Sequence, residues 1–199
     1  MTIIMTKPTG TFIHIPKNAG VAIGRWLTDN VQGSSYLLYK QHGGKHADQR
    51  RIKKWMDADQ RQMDMGFTFC VVRNPWDRVV SAYHYYVRRH QTSNGRYGID
   101  PLETTWEQFA NREWEYGKWG CVHRPQTAYF DKVDCILRFE NLDKDFLQIQ
   151  DMYNCWRPLF PANQSKHKDY RKYYTNPRWI DDVAEHFKAD IKEFGYSFE

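Results

Sequence analysis

Lys17 in Ile15-Pro-Lys-Asn-Ala-Gly and Arg73 in Val72-Arg-Asn-Pro-Trp each stand where an apolar run ends and a helix begins. At such a junction the first helical amides have no partner within the helix, and the helix dipole favours negative charge. Lys17 adds a mobile cation to a loop of small residues, Asn18, Ala19 and Gly20, followed by Val21 and Ala22. The chemistry this predicts is the holding of a phosphate or a close relative, with loop amides and one lysine around it. Arg73 has a second partner for such work. Ser81 lies seven residues after Asn74, on nearly the same helix stripe two turns later, so arginine and serine can grip one phosphate from two sides. Each segment also suits a plainer reading: a βα turn with a surface lysine, and an amphipathic helix with a salt-bridged arginine.

The first loop is not a Walker loop. That pattern places the lysine late and follows it with a hydroxyl for magnesium. Here the lysine comes early, and Val21 and Ala22 follow the glycine.

The elements around these residues follow from their patterns. Phe12, Ile13 and Ile15 read as a buried strand, ended by Pro16, and Val21 to Leu27 as the first turns of a helix. Phe67 to Val72 is apolar on both faces, as in a covered parallel sheet. Asn74 is the predicted N-cap and Pro75 the first position of a helix running to about Arg89. Asp134 to Phe139 reads as a third strand, followed by a helix from about Leu142 to Tyr153, and Ser35 to Tyr39 as a short strand. Residues 47–64 and Thr105 to Tyr116 read as helical, and residues 90–101 as an exposed loop. Residues 157–177 form a long basic, aromatic-rich connection. In the last helix Asn176-Pro177 is the start, Ile180, Val183, Ala184, Phe187, Ile191 and Phe194 make one stripe, and Gly195 is the stop.

Ile15-Pro-Lys-Asn-Ala-Gly resembles the 5′-phosphosulfate loop of sulfotransferases, and Val72-Arg-Asn-Pro-Trp-Asp-Arg-Val-Val-Ser-Ala-Tyr resembles their 3′-phosphate motif. The likeness is to the carbohydrate sulfotransferase branch, in its small soluble bacterial and viral form, and it covers nearly the whole chain. Gly44-Lys45-His46-Ala47, Arg138-Phe139-Glu140-Asn141-Leu142, Ser165-Lys166-His167-Lys168-Asp169-Tyr170 and the ending Asp190 to Tyr196 extend it. The resemblance implies an α/β fold with a P-loop-like parallel sheet flanked by helices, in one domain over residues 1–199. It implies 3′-phosphoadenosine 5′-phosphosulfate (PAPS) as donor, adenosine 3′,5′-bisphosphate as product and no metal. It implies cofactor contacts from Lys17, Asn18, Ala19, Gly20, Val21, Ala22, Arg73, Ser81, Ser165 and Lys166, with Tyr170, Tyr173 or Tyr174 stacking or packing nearby. Relatives usually carry Thr or Ser where this chain has Val21 and Ala22. Each missing hydrogen bond to a charged acceptor is worth roughly 1.5–3 kcal/mol, so two outcomes are open: a weakened cofactor affinity, or compensation by Asn18.

Sulfuryl transfer needs in-line alignment, charge stabilisation on the departing phosphate and a proton acceptor. Lys17 is the expected charge stabiliser. His46, beside a flexible Gly43-Gly44 pair and in a family block, is the expected base. His123, in Val122-His-Arg-Pro-Gln, is the alternative base or an acceptor contact, and Glu140 and Asp77 are further options. His42 precedes His46 by four residues, but the glycines between them argue against a helical metal pair. His14 falls in the first predicted strand and reads as structural.

Composition bounds the alternatives. The chain has 199 residues, net charge +5, and 16% aromatics with 8 Trp and 13 Tyr, which suits a folded domain rather than a disordered one. The basic balance fits an anionic cofactor and equally suits nucleic acid or a solvated face. It is the resemblance that implies a glycan or other hydroxyl-bearing molecule as acceptor, with nucleic acid not the expected partner. The chain has no spanning apolar run and no secretory signal, so a cytoplasmic setting away from membranes is expected. Cys70, Cys121, Cys135 and Cys155 lack metal or redox spacing, and Cys70 and Cys135 read as reduced cysteines in strands. Two other classes stay open: a non-catalytic nucleotide-, glycan- or nucleic-acid-binding module on the same scaffold, and an ATP-using kinase-like enzyme. Acceptor identity and oligomeric state are not legible.

Overall fold

Apolar runs that can bury both faces form the centre of the sheet, and the helices start where asparagine or a small-residue loop leaves the strands. The computed structural model describes residues 2–36, 47–58, 65–111, 122–165 and 167–199. In chain order the elements are β1 (Ile3–Thr6), β2 (Thr9–Ile13), α1 (Gly20–Asn30), β3 (Ser35–Tyr36), α2 (Gln49–Ala58), β4 (Phe67–Val72), α3 (Pro75–Thr92), α4 (Trp106–Ala110), β5 (Cys135–Arg138), α5 (Leu142–Asp145), α6 (Leu147–Met152), α7 (Pro177–His186) and α8 (Lys188–Phe194). Short 3₁₀ turns cover Gln126–Tyr129, Phe139–Asn141 and Tyr170–Tyr173. Among the described residues no helix is long and apolar enough to cross a membrane.

The described residues group into two compact units, Met1–Val72 with Ala128–Asn163, and Arg73–Thr127 with Gln164–Glu199. The first unit holds the sheet, in the order β3-β1-β2-β4-β5. β2, β4 and β5 are parallel neighbours, with Ile13 opposite Cys70 and Cys70 opposite Ile136. The sheet is mixed rather than all-parallel, because β1 pairs antiparallel with both β2 and β3. β1 is also a strand that the sequence reading did not assign. One face of the sheet, with Ile3, Met5, Phe12, Phe69, Val71 and Leu137, packs against Ile23, Trp26 and Leu27 of α1 and against Phe146 and Ile149. Trp26 and Phe146 meet edge to face at 5.0 Å. Both faces of β4 are buried, as its pattern predicts. Cys70 is fully buried, and burial pushes its thiol pKa up, so it is inert packing.

The second unit is built on α3. Asn74 caps it by accepting from the Trp76 amide at 3.1 Å, and Pro75 opens it, as expected. Trp76, Val79, Val80, Tyr83 and Tyr86 of α3 pack with Trp106 and Phe109 of α4 and with Trp179, Val183 and Phe187 of the C-terminal segment. Thr105 caps α4 in a capping box with Gln108. The loop after α3 starts at Ser93, slightly later than expected, and Ile99 within it is buried.

Two predicted helices are each divided. The stretch from Leu142 breaks at Phe146, and the C-terminal helix breaks at Phe187. Both aromatics are buried, and the breaks seat them in the cores of their units. The ends behave as read: Asn176 accepts from the Arg178 amide, and Gly195 closes α8 in the left-handed region at φ 64°.

Candidate active site

The loop between β2 and α1 is locally strained. Lys17 and Ala19, neither of them glycine, hold φ values of 72° and 57°. Ala19 occupies the N-cap position in the left-handed region, with no side-chain hydrogen bond of its own to the helix start. Further along the first turn, the Ala22 amide is engaged by the Ala19 carbonyl at 2.9 Å.

Two buried side chains hold this conformation. Asn18 is 1% exposed, and its Nδ2 donates to the Val71 carbonyl at 2.7 Å, tying the loop to the neighbouring strand. Its side-chain nitrogen is thus engaged on β4. His14 lies just past β2 rather than inside it, stacked at 6.0 Å with Phe12. Its ring fills the space over Gly20: a Cβ there would lie 1.9 Å from His14 Cδ2. The structural role expected of His14 is therefore specific, since it makes residue 20 a glycine.

From Ala22, α1 also lines a groove of about 620 Å³ with Arg25 and Trp26, facing Arg157 and Phe160. The Trp26 indole donates to the Arg157 carbonyl at 2.8 Å and fixes that wall.

In the second unit Arg73 is 5% exposed. Its Nε and Nη2 both lie 2.8 Å from Asp77 Oδ2, one turn on. Asp77, one of the optional bases, is thus the ion-pair partner of Arg73. Its other oxygen lies 3.7 Å from Nε2 of His167. Ser81 and Ser165, distant in sequence, are brought together with their Oγ atoms 3.0 Å apart. Beside them the His84 and His167 rings stack at 5.5 Å, and His84 Nε2 bonds the Tyr173 hydroxyl at 2.9 Å. Burial, with His167 adding to it, pushes the His84 pKa down to about 4. The sequence reading missed both histidines as neighbours of this site, although His84 lies one turn after Ser81.

The three tyrosines of the basic connection pack rather than project. Tyr174 is buried and donates to the Trp76 carbonyl at 3.0 Å. Tyr173 is taken by His84. Tyr170 receives the Asn74 amide at 3.3 Å and donates to the Phe198 carbonyl at 3.1 Å. His123 is half-buried, with its pKa lowered by burial and then by His186, Arg78 and Arg124. Its carbonyl bonds His186 Nε2 at 2.6 Å. Glu140 is exposed on the 3₁₀ turn after β5. His42, His46, Cys121 and Lys166 lie outside the described residues.

Each unit by itself carries groups that suit an anion: the first a lysine in the loop before α1, the second an arginine before α3 and the paired Ser81 and Ser165 hydroxyls.

No curated protein matches the chain. A solved structure of a sulfotransferase from Alicyclobacillus acidocaldarius is similar at 15% identity, over 74% of this chain and 60% of that one, with a TM-score of 0.34. The chain therefore spans under two thirds of that protein's length. The model of the sulfotransferase family matches residues 3–197, from the first strand through the last helix, and the chain belongs to that family.

Proposed function

We propose that this chain moves a sulfuryl group from PAPS to the hydroxyl of a carbohydrate acceptor. Family membership carries the reaction class. The observation that most supports the donor is the contact of Ser81, on the helix that follows Arg73, with Ser165. An arginine with paired hydroxyls suits a phosphate dianion, and in this reading they hold the 3′-phosphate, with Lys166 as an added cation. Lys17, Asn18, Ala19, Gly20, Val21 and Ala22 hold the 5′-phosphate through the start of α1 and the Lys17 ammonium.

PAPS when bound supplies the sulfuryl group, so that one S–O bond forms to the acceptor as another breaks to the phosphate and the acceptor's proton is released. Lys17 keeps positive charge beside the leaving phosphate. Asn18 keeps the loop on the sheet through Val71. His46 takes the proton. His123 contacts the acceptor, and the α1 groove, lined by Arg25, Arg157 and the exposed Phe160, offers a sugar an apolar face and two cations.

The test is calorimetry with adenosine 3′,5′-bisphosphate and AMP, followed by a panel of glycans with labelled PAPS. Preference for the bisphosphate and label on a sugar are the expected results. Equal affinity for the two nucleotides overturns the donor assignment.

A further inference from the structure

The segment Val122-His-Arg-Pro-Gln126 stood out in sequence as a possible catalytic block, and its last residue does something else. Gln126 is fully buried. Its side-chain oxygen accepts from the Arg73 backbone N–H at 2.9 Å, and its side-chain nitrogen donates to the Arg73 carbonyl at 2.8 Å. A carboxamide carries one acceptor and one donor in a plane, so here it pairs with both backbone polar groups of one residue, as a neighbouring strand would. Arg73 is the residue after Val72, where the β4–β5 ladder ends.

Gln126 is itself held. Asp190, fully buried on α8, accepts from the Gln126 amide at 2.7 Å, the Thr127 amide at 2.9 Å and the Thr127 hydroxyl at 2.9 Å. A buried carboxylate with three donors is a fixed anchor, because leaving any of them unmade is costly. The chain of bonds runs from Asp190 through Gln126 to the backbone from which the Arg73 side chain emerges. Asp77 then sets the far end of that side chain.

We propose that Gln126, anchored by Asp190, is a positioning residue that sets Arg73 for recognition of a phosphate, and so fixes the selectivity for a 3′-phosphorylated nucleotide. This rests on the cofactor reading above. Gln126 touches no ligand in this account. It acts by removing the freedom of the Arg73 backbone, so that the guanidinium does not have to be ordered when the anion arrives.

The experiment measures Kd for adenosine 3′,5′-bisphosphate and for AMP in wild type, Gln126→Met, Thr127→Val and Arg73→Ala, with thermal melts of each. Wild type should prefer the bisphosphate. Gln126→Met, of similar reach but with neither hydrogen bond, should lower that preference on the order of tenfold with AMP affinity within about twofold. Thr127→Val removes one of the three donors to Asp190 and leaves the Gln126 amide bond and both Gln126–Arg73 bonds, so it should lower Tm and cost at most a small part of the preference that Gln126→Met costs. In an Arg73→Ala background Gln126→Met should change the preference no further. The proposal fails if Gln126→Met keeps the wild-type preference, if Thr127→Val lowers it equally, or if the effect survives without Arg73. A wild type with no preference overturns the cofactor reading and the clamp's role with it, and is recognised before any variant is measured. Should Gln126→Met not fold, Gln126→Glu keeps the bond to the Arg73 N–H, sets an acceptor against its carbonyl and is expected to shift the preference in the same direction.

Discussion

Arg73 and Asp77 form an ion pair in which two guanidinium nitrogens lie 2.8 Å from one carboxylate oxygen, with both side chains largely withdrawn from solvent. A phosphate that binds Arg73 must share it with Asp77. Arg73→Ala should therefore abolish most of the preference for adenosine 3′,5′-bisphosphate over AMP. Asp77→Asn, which removes the competing charge, should tighten the bisphosphate several-fold at low salt, with the gain shrinking as salt is raised. Calorimetry at two ionic strengths reads both, and a bisphosphate affinity that falls in Asp77→Asn would show that Asp77 orients Arg73 more than it competes.

Gly20→Ala places a methyl where the His14 ring already lies, 1.9 Å from Cδ2. The ring must move, and with it the loop that it supports. Overpacking of this kind costs about 1–3 kcal/mol. Gly20→Ala should lose that much stability in a urea titration, and His14→Ala in the same chain should restore part of it. A double variant no better than the single one would place the strain elsewhere.

His84 makes stability depend on pH. Its pKa falls from 6.5 to about 4 in the fold, so between those values the unfolded chain binds the extra proton. Stability should be fully present above pH 6.5 and decline as pH falls toward 4, with no further loss from this group below that. In His84→Gln the decline across this window should be shallower. Tm measured against pH for both proteins gives the answer, and parallel curves would remove His84 as the cause.

Lys17 and His46 are separated by kinetics once an acceptor is known. Lys17→Ala should lower turnover on the order of 10²–10³-fold with a smaller effect on bisphosphate affinity, since its charge is needed most as the phosphate departs. His46→Ala and His46→Asn should each cost on the order of 10²–10⁴-fold and leave that affinity nearly unchanged. A fully active His46→Ala beside an inactive His123→Ala moves the base to His123.

What was readable in the sequence was what a few adjacent residues decide. Asn74-Pro75 and Asn176-Pro177 start helices because a side-chain oxygen and a preset φ act within one turn. Gly195 ends one because only a local backbone angle is needed. Phe67 to Val72 is a strand buried on both faces because its own run of apolar side chains demands it. The loop at Lys17 was legible for the same reason, as a strand, small residues and a helix start in direct succession.

The tertiary structure decided everything that joins distant residues. The contact of Ser81 with Ser165 crosses 84 positions, and that of Arg73 with Gln126 crosses 53. No periodicity encodes either, because a side chain's hydrogen-bond partner is fixed by which elements pack, not by its neighbours in the chain. The same holds for the breaks at Phe146 and Phe187. Local helix propensity favours continuing through both, but burying an aromatic in a core outweighs the one or two helical bonds given up. His14 makes the point within a single loop: six residues along the chain from Gly20, it looks like one more strand residue until the backbone folds back and its ring occupies the place of a side chain.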